Sequence, residues 1–125
     1  MKMHHVAIQV TNLDVAHNFY VELLGLPLVR QQDHALWVNA GDLIVMLELC
    51  PGPVVDDEWK SAAPGPFCLV FAVDPPGRLR IKQRLLEAGV AVDHESTFTT
   101  YVRDPFGCRL GFSHHPHPPD AVGGV

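Results

Sequence analysis

The chain carries nearly the same phrase twice. Residues 5–10 read His-Val-Ala-Ile-Gln-Val, and residues 68–73 read Cys-Leu-Val-Phe-Ala-Val. Each phrase alternates as a strand does and runs into an Asn or Asp within two residues. Each is followed by a helical stretch that stops at a glycine, Gly25 or Gly89, and then by hydrophobic strands. Two copies of a unit of roughly 60 residues are too few for a solenoid. The pattern predicts two βαβββ modules paired into one α+β domain, with His5 and Cys68 opening the matching strands across a shared cleft.

The first module is expected at about residues 3–50. Its strands are expected at 4–10, 26–31, 34–39 and 43–49, with a tight turn at 39–42. Asn12 and Asp14 are both possible caps for a helix with Val15, Phe19 and Leu23 on its inner stripe, widened by Ala16, Tyr20 and Leu24. Pro27 follows the helix-ending Gly25. Residues 51–66 are polar and Pro-rich and read as a linker, in which Trp59 should dock somewhere. The second module, 67–113, repeats the plan: a strand at 68–73, a helix at about 77–88, and strands at 90–92, 97–103 and 108–113. Asp104-Pro105-Phe106-Gly107 is a turn. Residues 114–125, with three His and three Pro, read as a mobile tail.

The hydrophobic fraction of 47% and the charged fraction of 18% favour a packed core over disorder. A net charge of −5 and the lack of any Lys/Arg run argue against nucleic acid as a partner. No apolar segment approaches the roughly 18–20 residues of a membrane span. The N-terminus lacks the apolar stretch of a signal peptide. Three cysteines, Cys50, Cys68 and Cys108, form no zinc-ribbon spacing, and a cytoplasmic protein with reduced thiols is the simplest expectation.

Four phrases together resemble the vicinal oxygen chelate superfamily, which includes glyoxalase I, bleomycin-resistance proteins and extradiol dioxygenases. They are His5-Val-Ala-Ile-Gln-Val, then Phe19-Tyr20 with Leu24-Gly25-Leu26, then Glu87-Ala88-Gly89-Val90, and lastly Asp104-Pro105-Phe106-Gly107. The resemblance implies eight strands curled into a half-barrel around a cleft. It also implies a divalent metal (Zn, Ni, Mn or Fe) held by residues on the first and last strand of each module. In such proteins the metal binds adjacent substrate oxygens and stabilises developing negative charge.

Carried over residue by residue, His5 matches the first-strand ligand position, and His4 should point away from it. Cys68 falls where the second module usually has a His; as a ligand it suits zinc, but a free cysteine also packs as a small hydrophobe. Gly111 stands where the resemblance places a Glu, four residues beyond the turn glycine, and it has no side chain to donate. The phrase Leu47-Glu48-Leu49 is similar to the one in which a glyoxalase Glu ligates. Counting from Gly41 as from Gly107, however, puts Val45 there and turns Glu48 to the other face.

The candidate metal set is therefore His5, Cys68 and Glu48. Trp37, Phe98, Tyr101 and Arg103 are candidate cleft-lining residues, with Arg30 and Arg109 as further anion contacts. His114, His115 and His117 look like a metal tract but are expected to bind nickel only adventitiously. The resemblance implies a homodimer. The leading expectation is a glyoxalase/bleomycin-resistance-like protein that binds a small molecule in a dimer cleft and has a degenerate metal site. The alternative is a divalent-metal-dependent lyase or isomerase acting on a vicinal-oxygen substrate.

Overall fold

The computed structural model describes residues 1–52 and 68–117. Most of the expected linker, Trp59 included, and residues 118–125 lie outside the described residues. The chain divides into two compact units, Met1–Lys60 and Ser61–Val125.

Unit one runs β1 (His5–Val10), α1 (Leu13–His17), a π-helical turn (Asn18–Leu23), β2 (Leu28–Gln32), β3 (Ala35–Ala40) and β4 (Leu43–Leu49). Unit two runs β5 (Leu69–Ala72), α2 (Pro75–Glu87), β6 (Val92–Glu95), β7 (Thr99–Arg103) and β8 (Arg109–Ser113). The sheet orders are β1-β4-β3-β2 and β5-β8-β7-β6, the same topology twice. In each, the first strand pairs parallel with the last, and the other neighbours are antiparallel. The repeated phrase is thus a repeated βαβββ unit. No helix among the described residues is long and apolar enough to cross a membrane.

Asn12 is the cap of α1, its side chain accepting from Val15 N at 3.0 Å. The expected single helix changes register after His17. Leu24 N donates to Phe19 O, a bond spanning five residues rather than four. The wider turn buries Phe19 and the adjacent Tyr20 together, while Val15, expected inside, is 42% exposed. The core of unit one is Ile8, Val10, Ala16, Phe19, Tyr20, Leu36, Val38, Val45 and Leu47. These strand residues share one parity, so one face of the sheet lies under the helical segment.

In unit two, Asp74 caps α2 by accepting from Gly77 N at 2.7 Å, and Pro75 and Pro76 occupy the first turn, where no amide donor is needed. Gly89 ends the helix at φ +83°, with Gly89 N on Leu86 O and Val90 N on Leu85 O, a Schellman exit. That exit explains one boundary difference. Val90, expected in a strand, still closes the helix, and β6 begins at Val92. Leu26 likewise bonds back to Tyr20 O, which delays β2 to Leu28.

His114, expected in a mobile tail, is packed against the fold. His114 is 3% exposed, and its N–H donates to Phe98 O. Its Nε2 lies 3.0 Å from Arg78 Nη1, and its Nδ1 lies 2.6 Å from His117 O. A guanidinium only donates and a carbonyl only accepts, so the ring accepts at Nε2 and donates at Nδ1. Arg78 also donates to Thr100 Oγ1, Thr97 O, Ser96 O and Glu95 Oε2. One side chain from the first turns of α2 thereby holds the β6–β7 loop and the end of β8.

Arg78→Met is expected to cost about 2–4 kcal/mol in urea unfolding, because it strands the buried Thr100 and His114 acceptors and releases the loop carbonyls at once. Arg78→Lys should recover little, having fewer donors and no planar fork. Lys82, in contact with Glu95, holds the Glu95 carboxyl below its ordinary 4.5 against partial burial, with Thr100 and Arg78 helping. A lowered folded value means stability present above pH 4.5 and lost as pH falls through that value. Glu95→Gln should therefore flatten the acid side of the stability profile.

Candidate functional site

The face of each sheet away from its helix carries the chemistry. In unit one the parallel register pairs His5 with Ile44, Ala7 with Met46 and Gln9 with Glu48. Directly paired residues share a face, and β3 adds Asn39, Trp37 and Ala35 beside them. Trp37 is the centre of this surface. Its Nε1 donates to Gln32 Oε1 at 2.9 Å, and the His5 ring meets it edge-on at 5.1 Å. His4, expected to point away, contacts His5 through their Nδ1 atoms at 2.7 Å. Asn39 Oδ1 is buried without a hydrogen bond among the described residues.

Two expectations about β4 change. Val45 is 2% exposed and belongs to the core, so it is not a ligand position. Glu48 lies on the His5 face, not on the opposite one. The counting failed because the two hairpins differ. Ala40 pairs with Leu43 around a two-residue Gly41-Asp42 turn, whereas Arg103 pairs with Arg109 around the five residues Asp104–Cys108. Even so, Glu48 sits opposite Gln9, four positions along from the partner of His5, about 13 Å at the usual strand rise.

In unit two the corresponding face carries Val70 and Ala72 of β5, Arg109, Gly111 and Ser113 of β8, and Thr99, Tyr101 and Arg103 of β7. Cys68 stands directly before β5. Aligning the repeated phrases matches Ala7 with Val70. Their partners are Met46 and Gly111, which face Trp37 and Tyr101 respectively. Each unit thus sets an aromatic ring opposite the equivalent last-strand position, Met46 in unit one and Gly111 in unit two. A Cβ at Gly111 would lie 3.1 Å from Thr99 Cγ2 and 3.2 Å from Tyr101 Cε1. The ring fills the space above the backbone there.

Arg109 lies over the Tyr101 ring, its guanidinium carbon 4.2 Å from the centroid. Its Nε donates to Asp93 Oδ2 at 3.3 Å, and Arg103 Nε stands 3.5 Å from the same oxygen. Arg103 also donates from Nη1 to Gly107 O. His94 stacks on Tyr101 at 5.9 Å. Burial pushes the Cys68 thiol above its ordinary 9.0, although Arg109 and then Arg103 pull it back. Burial, and then the Asp104 charge, pushes the Cys108 thiol up to about 12. Both thiols are protonated at neutral pH, so neither is a ready thiolate. Asp104 itself accepts from Phe106 N and Cys108 N, which holds the turn before β8.

Among the described residues, no group of three or more His, Cys, Asp or Glu side chains is placed to hold a metal ion. Within unit one His5 and Glu48 stand too far apart along the strands to share an ion directly, and no donor set among the described residues fits the metal that the resemblance implies. Trp37, Tyr101 and Arg103 lie on these sheet faces. Phe98 does not, since it packs edge-on against His114 and His115 at the end of β8. Sequence reading missed Asp93 and Met46, because neither belongs to a phrase and only the register reveals its place. Gly111→Ala is expected to lower stability by about 1–2 kcal/mol through overpacking against Thr99 and Tyr101. In the Tyr101→Ala background the same change should cost much less, as thermal unfolding of the double-mutant cycle will show.

Comparison with known proteins agrees with the topology. Residues 2–112 match the model of the Glyoxalase/Bleomycin resistance protein/Dioxygenase superfamily. No curated protein matches. Among solved structures, a glyoxalase/dioxygenase from Nostoc punctiforme is similar at a TM-score of 0.77 and 22% identity, over 89% of this chain and 88% of that one. A lactoylglutathione lyase from Agrobacterium tumefaciens is similar at 0.68 and 20%, over 90% and 92%. The trypanothione-dependent glyoxalase I of Leishmania major is similar at 0.70 and 20%, over 90% and 86%. At such identities these structures bear on the fold alone, whereas the family model spans nearly the whole chain. The chain belongs to the glyoxalase/bleomycin resistance protein/dioxygenase superfamily.

Proposed function

We propose that this protein binds a small molecule in a cleft of a cytoplasmic homodimer, without a resident divalent metal. The observation that carries the reading is the pair of positions at Met46 and Gly111. Bare backbone stands at Gly111, where the resemblance places a Glu, a thioether stands at its repeat equivalent Met46, and Tyr101 and Trp37 face them. Aromatic surfaces with a few polar groups suit a ligand held by stacking and hydrogen bonds. Exposed Ala7 and Val70 keep the two faces open beside the rings. The three cysteines are free, in keeping with a reducing compartment. A homodimer would cover the edge strands β1, β2, β5 and β6, each of which has a single strand neighbour among the described residues.

One observation favours the metal-dependent lyase or isomerase instead. Glu48 shares the His5 face. In that reading His5, Glu48 and Cys68 would hold the ion, which would act as a Lewis acid for a vicinal-oxygen substrate.

Elemental analysis of the tag-free protein separates the two. Cutting the chain after Ser113 is unsuitable, because it removes the buried His114 and its bond to Arg78. The better variant is the full chain carrying His115→Ala and His117→Ala. It is expected to hold no stoichiometric Zn, Ni, Mn or Fe. About one metal per chain, lost in His5→Ala, would overturn the proposal, since a zinc-type site needs three or more protein donors. Sedimentation equilibrium at tens of micromolar is expected to show a dimer, with an interface above roughly 1,000 Å².

A further inference from the structure

Resting on the reading of the unit-two face as part of a small-molecule site, we infer that the ligand there is an organic oxyanion. It is gripped by the Arg109 guanidinium, with Arg103 beside it and a short apolar body laid over Val70 and Ala72. The protein's own fixed cation takes the role that a divalent ion would otherwise play.

Three observations combine. The first is charge. Arg103 and Arg109 share one carboxylate oxygen, Asp93 Oδ2, at 3.5 and 3.3 Å. Two guanidiniums thus converge on a single carboxylate oxygen. The side chains of Arg109 and Arg103 are only 9% and 19% exposed, so water screens their charge poorly. The other ionisable groups around them are His94, on Tyr101, the two protonated thiols Cys68 and Cys108, and the buried Asp104, whose Oδ1 accepts from Phe106 N and Cys108 N.

The second observation is donor geometry. The described residues give Arg109 one hydrogen bond, from Nε to Asp93. Its Nη groups receive no partner from them, yet neither is among the buried polar atoms sealed off without one. The Tyr101 ring holds the guanidinium by its face at 4.2 Å, which leaves the N–H edge for a ligand. That edge is a planar fork that matches two oxygens of a carboxylate or phosphate. Arg103, by contrast, is tied to Gly107 O and acts chiefly as added charge.

The third is the floor. Gly111 contributes no side chain, and Val70, its partner across the parallel ladder, is 53% exposed. Ala72 follows on the same face and is also exposed. An exposed apolar strip ending at a guanidinium suits an organic anion better than an inorganic one. The arrangement also opposes the expectation of a cationic ligand that the net charge of −5 would suggest.

The test uses benzoate, benzamide and benzamidine, which share a shape and differ in charge, together with inorganic phosphate. Each is titrated into the full-length protein with chelator present and followed by amide chemical shifts. Benzoate is expected to bind at least roughly tenfold tighter than benzamide and to shift amides around Tyr101, Arg109 and Val70, because its oxygens meet a charged donor. Added salt should weaken that binding. Arg109→Gln should remove the preference for benzoate, and Arg109→Lys should restore only part of it. Asp93→Asn gives the reading that a merely structural role would not: removing the competing carboxylate should tighten benzoate binding, whereas a scaffold defect would loosen it. Should Arg109→Gln fail to fold, Asp93→Asn and Arg109→Lys still decide the question.

Phosphate binding through Arg109 without benzoate binding keeps the oxyanion and overturns the apolar floor. Equal binding of benzamide or benzamidine, insensitive to Arg109, overturns the inference and leaves the small-molecule site standing. No response to any of the four probes overturns the inference and counts against the site as well.

Discussion

The parallel pairing of first and last strand within each unit governs everything else in this structure. Two parallel neighbours cannot be joined by a tight turn. The chain therefore leaves the first strand, crosses through a helix, builds two further strands, and returns as the fourth beside the first. Residues some 40 positions apart in sequence become cross-strand partners, as His5 and Ile44 do, or Val70 and Gly111. Which side chains share a face is then a matter of register alone. A slip of one residue in β4 would bring Val45 and Leu47 out of the core and put Met46 and Glu48 into it.

That dependence separates what the sequence displays from what it hides. The repeat, the Asn12 cap and the glycine exits are local, and each was legible, whereas the Asp74 cap came from the structure. Asn12 and Asp74 bond amides three residues on, and Gly89 takes the left-handed conformation that closes a Schellman turn. The place of Glu48 was not legible. It depends on whether the β3–β4 hairpin holds two loop residues or five, and the equivalent turn in the other unit misleads. The helical stripe was half legible for a related reason. A 3.6-residue period assigns Val15 inward, but the π-helical turn shifts the register and Tyr20 becomes fully buried instead.

Compositional reading had its own blind spot. Histidine and proline after Ser113 have the look of a solvated tail, yet His114 is buried because Arg78 needs an acceptor there. Arg78 spreads its donors over four residues of the stretch from Glu95 to Thr100 as well as His114. Nothing near residue 114 in sequence announces this, since the partner lies 36 positions away on another element. A buried guanidinium is tolerable when its hydrogen bonds are met, and here the loop carbonyls meet them.

Arg109 presents the opposite case, and the contrast gives the unit-two face its meaning. Both arginines are largely withdrawn from water. Arg78 meets an ordered set of carbonyls, a hydroxyl, an imidazole and a carboxylate, so its charge is spent inside the fold. Arg109 meets one shared carboxylate oxygen and the face of a tyrosine ring. Desolvating a cation for so little return is unfavourable unless a further anion arrives. Net charge sums the whole surface, whereas a small molecule senses the few charges within a Debye length of where it sits. An acidic protein can for that reason hold an anion, provided the fold leaves the N–H edge of a guanidinium open beside an apolar strip.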